Sequence, residues 1–142
     1  MVRNTSGVSD SPSPIAQESE NPTYRRRYVR IATSFPVSFV LDGSDEVVAG
    51  ESSDLGGGGV RLATEGDLPL GALLLLRFRI PSIEREIAVR GRIVLSFFNA
   101  ERRQFLHGVA FTHVDPTEQE AIVRYVAGEV RRVADESVEA EI

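Results

Sequence analysis

The chain has 142 residues, a formal net charge of -5 and no cysteine, a length that suits one domain with a core of its own. Without thiols there is no disulfide framework, zinc ribbon, iron–sulfur site or cysteine nucleophile, and a cytoplasmic setting is the default. No stretch approaches the ~18 apolar residues of a membrane span, and the first residues lack the basic start and apolar run of a secretory signal, so a soluble protein with no membrane span is expected.

Residues 1–21 are rich in Ser, Pro and Asn and carry a charge of -2, which reads as a disordered tail. The tail meets a dense cationic run, Tyr24-Arg25-Arg26-Arg27-Tyr28-Val29-Arg30. Adjacent arginines repel one another and resist burial, so a packed fold has no ordinary use for them. Arg26 and Arg30 have the spacing R-x-x-x-R, which in extended backbone is roughly 13 Å along one side. Two long guanidinium groups can converge from there on an anion of nucleotide size. Taken alone, the run also fits a solvated basic linker.

From Ile31 the pattern changes to period two. Ile31, Thr33, Phe35, Val37, Phe39 and Leu41 share one face, as in a half-buried strand, and Pro36, which cannot donate to a ladder, marks an edge or a bulge. Residues 42–45 read as a turn and residues 46–54 as the returning strand. With the turn centred between Gly43 and Ser44, paired positions sum to about 87, which sets Arg30 opposite Gly57 and Thr33 opposite Asp54. A bulge would shift this register by one residue without separating the partners.

The returning strand leads into Asp54-Leu55-Gly56-Gly57-Gly58-Gly59. Each glycine costs roughly 0.5 to 1 kcal/mol of backbone order relative to alanine, so a run of them points to a special use. It permits left-handed backbone and lets a ligand approach main-chain amides, while Asp54 can accept from the adjacent N1 and amino donors of a guanine edge. A glycine-rich turn is the plainer reading of the run by itself. The hairpin brings it beside the arginine cluster, and together they read as one anion site.

Further strands are expected at residues 60–63, 73–80, 87–97 and 105–113. Leu74, Leu76, Phe78 and Ile80 face inward against Arg77 and Arg79; Ile87, Val89, Ile93 and Leu95 face inward against Arg90 and Arg92. Short strands with turn signals between them favour a small antiparallel β-barrel of about six strands. A helix closes the chain, with Asp115 as N-cap, Pro116 as first residue and Glu118 as capping-box partner. Its stripe of Ile122, Val126, Val130 and Val133 would cover an open end of the barrel. The fold class is therefore all-β with a C-terminal α-helix.

Residues 135–142 carry -4 and read as an acidic tail that solubilises, which leaves +1 for the domain at residues 22–134. Near-neutrality argues against general nucleic-acid or membrane binding, which needs a broad basic surface. An RNA platform is also poorly supported, since Tyr24 and Tyr28 are the only aromatics near the arginines. His107 and His113 would stand about 20 Å apart on an unbroken strand, too far to share a metal. Ser52 or Ser53 beside Asp54 lacks a nucleophile elbow, so no catalysis and no cofactor is expected.

The two motifs together resemble the PilZ domain, the bacterial receptor module for cyclic di-GMP, whose signature is R-x-x-x-R followed one hairpin later by [D/N]-x-S-x-x-G. Arg26 and Arg30 match the first element, with Arg25 at a preceding position that is often arginine; Asp54 and Gly59 match the second. Gly56 departs from it, standing where the family usually has serine. The resemblance covers about residues 23–134, with Arg90-Gly91-Arg92-Ile93-Val94 similar to the family's central strand and His107-Gly108-Val109-Ala110-Phe111 to its last.

The resemblance implies a non-enzymatic receptor in which Arg25, Arg26 and Arg30 clamp phosphates and stack on guanines, while Asp54 and the segment holding Gly56 and Gly59 recognise a guanine edge. Arg25 implies a stacked ligand dimer, two nucleotides per site. A missing serine hydroxyl removes one hydrogen bond of about 0.5 to 1.5 kcal/mol, or about tenfold in affinity at most. Ligand binding would draw residues 22–30 onto the barrel and create a surface for a downstream protein that the sequence does not identify. A nucleotide-independent PilZ adaptor is the alternative, and a monomer or small homo-oligomer suits the closing helix.

Overall fold

The computed structural model describes residues 28–81 and 85–141, so the readings of the N-terminal tail, Arg25 and Arg26 lie outside the described residues. Strands β1 (Arg30–Ala32), β2 (Pro36–Leu41), β3 (Val48–Gly56), β4 (Gly59–Thr64), β5 (Leu73–Phe78), β6 (Ile87–Asn99) and β7 (Gln104–His113) precede helix α1 (Pro116–Glu141). The order β3-β2-β5-β6-β7-β4 returns to β3 and closes a six-stranded antiparallel barrel, with β1 as an additional strand on β3. This is the expected architecture. Alternation fills its interior: Val37, Phe39, Leu62, Leu76, Val89 and Ile93 are each at most 1% exposed. Phe35 and Phe78 stack with ring centroids 5.5 Å apart.

The turn after β2 forms as the sequence suggests, with Gly43 at a φ of 87° and the Ser44 amide donating to the Leu41 carbonyl at 3.0 Å. The strand expected across residues 31–41 is interrupted, however. β2 pairs with β3 in the expected register, Pro36 with Glu51 and Phe39 with Val48, whereas β1 pairs one residue off, Arg30 with Gly56 and Ala32 with Asp54. The extra residue lies in the segment 33–35. There the Thr33 amide reaches the Ser53 carbonyl and the Phe35 amide donates to Ser52 Oγ at 2.9 Å. Pro36 thus follows a bulge rather than marking a sheet edge.

A second bulge corrects the reading of β6. Ile93 pairs with Val109 but Leu95 with Gly108, so Val94 is the unmatched residue and every later side chain changes face. Leu95, expected inward, is 44% exposed.

Asp115 caps α1, its Oδ1 accepting the Thr117 amide at 3.0 Å. Glu118 stands opposite Arg85 at 3.5 Å instead of in a capping box. Ile122 and Val126 cover the barrel end, but Val130 and Val133, expected in the same buried stripe, are 42% and 52% exposed. The helix is simply longer than the end it covers: 26 residues span about 39 Å. Residues 135–141 continue it beyond the barrel.

His107 is a core residue, fully buried on β7. Its Nε2 lies 3.1 Å from Thr64 Oγ1, whose only proton goes to the Gly66 carbonyl at 2.7 Å. Nε2 must therefore donate, while Ser96 Oγ lies 2.8 Å from Nδ1 and also donates to Asp67 Oδ1 at 3.3 Å. Burial pushes the His107 pKa down, against smaller opposing effects of the Gly66 carbonyl and the Asp67 charge, so the neutral ring is the favoured form in the fold. Below the ordinary value of 6.5 the unfolded chain therefore binds more protons than the folded one. Stability is fully present above that pH and is lost as the pH falls. Urea denaturation at pH 7.5 and 5.5 should show this decline, with a shallower decline in His107→Gln; equal slopes in the two proteins would contradict it.

Candidate functional site

Asp54 owes its outward aim to an irregularity in β3. Ser52 points inward and is 3% exposed, and Leu55 also points inward at 0%, a spacing that strict alternation cannot give. Ser53 is unmatched between Ser52, opposite Leu62, and Asp54, opposite Arg61. This bulge turns Asp54 onto the outer face. Ser52, weighed above as a nucleophile, is instead a clasp, its hydroxyl accepting the Phe35 amide.

On that face Arg30 reaches Asp54 from β1 and Arg61 reaches it from β4. Nε of Arg30 donates to Asp54 Oδ1 at 2.9 Å, and Nη2 of Arg30 donates to the same oxygen. Nε of Arg61 lies 3.6 Å from Oδ2. The carboxylate is held between two guanidinium groups and its side chain is only 22% exposed, against 43% for Arg30. One anion facing two cations leaves one positive charge in excess. An outward cluster of this composition suits an anionic ligand.

The glycine run serves this cluster by close packing, not by the left-handed backbone expected of it. None of Gly56, Gly57, Gly58 and Gly59 has a positive φ. A Cβ on Gly56 would stand 2.8 Å from the Val29 carbonyl oxygen and 3.0 Å from Arg30 Cγ. One on Gly57 would meet Tyr28 Cδ1 at 2.5 Å and Val123 Cγ2 of α1 at 2.8 Å. The chain entering β1 therefore lies in a slot that only glycine leaves open, with the Tyr28 ring and Val123 of α1 both against Gly57. Gln119 of α1 donates to the Gly57 carbonyl at 3.0 Å and the Phe111 amide to that of Gly58 at 2.9 Å, which fixes the slot to helix and barrel.

This packing gives Gly56 a physical reason. Introducing the signature's serine by Gly56→Ser should cost about 1 to 3 kcal/mol of stability, because its Cβ displaces the Val29 carbonyl and lifts Arg30 from Asp54. Equilibrium denaturation measures the cost, and an unchanged or higher midpoint would oppose it.

The structure thus brings Arg30, Asp54 and Gly56 together and places Gly59 at the start of β4, while Arg25 and Arg26 lie outside the described residues. The sequence reading did not find Arg61. The signal was present, since the two-residue loop Gly57-Gly58 makes paired positions sum to 115 and so sets Asp54 opposite Arg61.

The sequence matches the model of the PilZ domain family over residues 24–128. The chain belongs to the PilZ domain family. Solved PilZ-containing structures share its fold. Escherichia coli YcgR in complex with c-di-GMP superposes with a TM-score of 0.68 at 16% identity, covering 82% of this chain and 50% of that one. The Bacillus subtilis inhibitor of motility, MotI/DgrA, gives 0.66 at 22% identity, over 78% of this chain and 52% of that one. The PilZ domain of CeSA from a cellulose-synthesizing bacterium gives 0.52 at 20% identity, over 70% and 96%. This PilZ chain spans about half the length of the first two. No curated protein matches it in sequence. Among the described residues, no helix of this PilZ domain is long and apolar enough to cross a membrane.

Proposed function

We propose that this PilZ domain, residues 22–134, is a cytoplasmic receptor for cyclic di-GMP and not an enzyme. The observation that carries the reading is the joining of Arg30, from the first signature element, to Asp54, from the second, on an outward face with a surplus cation. The E. coli YcgR and Klebsiella MrkH structures hold c-di-GMP on the same fold, which supports that ligand. Ligand phosphates compete with Asp54 for Arg30 and engage Arg25 and Arg26, with a stacked dimer of the nucleotide as the expected form. Asp54 then accepts from a guanine edge above Gly56. Gly59 contributes by keeping β4 in place. Tyr28, Val29 and Arg30 are already seated on the barrel, so binding draws the segment ahead of Tyr28 onto it and presents a new surface to a downstream protein.

Trypsin tests this mechanism, because it cleaves after the arginines that the ligand engages. Cyclic di-GMP should slow cleavage at Arg25, Arg26 and Arg27 at least tenfold, by the linkage of binding to an ordered state. Cleavage at an unchanged rate under saturating nucleotide would contradict it.

The alternative, a nucleotide-independent adaptor, draws on a different feature. Tyr28, Val29, Val123, Ala127 and Val130 line an open groove of about 370 Å³ beside α1, an apolar surface of the kind that proteins dock on. Such an adaptor, whether a monomer or a small homo-oligomer, would capture its partner equally well with and without nucleotide.

A further inference from the structure

We propose that Arg61 is a fourth arginine of the anion site, the one that takes hold of Asp54 when Arg30 turns to the ligand. The exchange itself is a property of the three side chains; only its trigger rests on the receptor reading above.

Arg61 is placed for this and is unfinished without it. Its Nε is buried and has no hydrogen-bond partner among the described residues, although a carboxylate oxygen lies 3.6 Å away. A buried N–H is seldom left unpaired, and the carboxylate just out of reach is the partner it would gain in another arrangement of the same groups. Closing to ordinary hydrogen-bond length needs a movement of only about 0.7 Å. What holds Arg61 off is Arg30, which has both Nε and Nη2 on Oδ1 and draws the carboxylate to its own side.

The two arginines differ in how firmly they are mounted. Arg30 opens β1, a strand of three residues that pairs only with β3. Arg61 sits within the barrel wall on β4, which pairs with β3 on one side and β7 on the other. Its cross-strand neighbour on β7 is Gly108, which puts no side chain in the way of the guanidinium stem. Arg30 is thus the cation that can leave and Arg61 the one that stays. Without Arg61, turning Arg30 to a ligand would strand Asp54 beside an anion. With it, Asp54 keeps a cation and its orientation.

Arginine side-chain Nε–H spectra of the full chain test this directly. In Arg30→Ala, with no ligand, the Arg61 Nε–H signal should move downfield and exchange more slowly, and the change should vanish in Arg30→Ala/Asp54→Asn. An Arg61 signal unaltered by Arg30→Ala overturns the inference. In the unmutated chain, cyclic di-GMP should produce the same change. Affinity should drop about tenfold in Arg61→Gln, the loss of one charge-assisted bond, with Arg61→Lys restoring little because it lacks the Nε–H. Thermal melts of these variants show that the barrel persists. If Arg61 responds to Arg30→Ala but nothing responds to cyclic di-GMP, the exchange stands and the receptor reading falls.

Discussion

Gly59→Ala is expected to destabilise the barrel by about 3 kcal/mol, at the upper end of overpacking costs, and to lower the melting temperature by about 10 °C. A Cβ at this position would stand 2.3 Å from the Val109 carbonyl oxygen, a backbone atom of β7 that cannot swing aside as a side chain can. Gly59 pairs with Ala110 at the point where β4 joins β7, so relieving the clash means prying apart a seam of the closed ring. Gly58→Ala is the internal control. Its Cβ would meet only the Tyr28 ring, at 3.2 Å, and should cost clearly less. Thermal and urea unfolding of the two variants measure the difference. Equal stabilities would show that the last signature glycine is not held by packing.

Arg30→Ala should act in the opposite way, sparing the fold and removing the ligand. Exposed ion pairs contribute roughly 0 to 1 kcal/mol, and β1 holds few other contacts, so the melting temperature should shift by no more than a few degrees. Cyclic di-GMP affinity should fall at least about a hundredfold, since a guanidinium forms two charge-assisted bonds to phosphate, each stronger than a neutral one. Competitive binding measures the loss. Affinity unchanged in Arg30→Ala would remove Arg30 from the site. On these outcomes the two ends of the signature would do different physical jobs, Arg30 serving the ligand and Gly59 the wall behind it.

Much of this was legible from local pattern. Alternating apolar residues gave the strand faces, and the hairpin sum of about 87 put Arg30 near Asp54, in error by one residue for β1. That error, the outward Leu95 and the aim of Asp54 share one cause. Each follows from a bulge, and a bulge is decided by tertiary partners such as the Ser52 hydroxyl under the Phe35 amide, which leave no periodic trace. The glycine run was noticed for the wrong property. Its backbone is ordinary in φ, and what it supplies is room for Tyr28, Val29 and the Val109 carbonyl, neighbours that lie far away in sequence or across a turn. Arg61 needed only the same register sum applied to the next hairpin. The exposure of Val130 and Val133 followed from helix length against barrel width, which a stripe of valines does not encode.

The receptor reading is tested most directly by titration calorimetry of cyclic di-GMP into the full chain at roughly 30 μM protein and near-neutral pH, a concentration that detects micromolar binding. A saturable heat with about two nucleotides per chain, lost in Arg30→Ala while that variant melts normally, is the expected result. No heat from the unmutated chain, with its barrel intact, would contradict it.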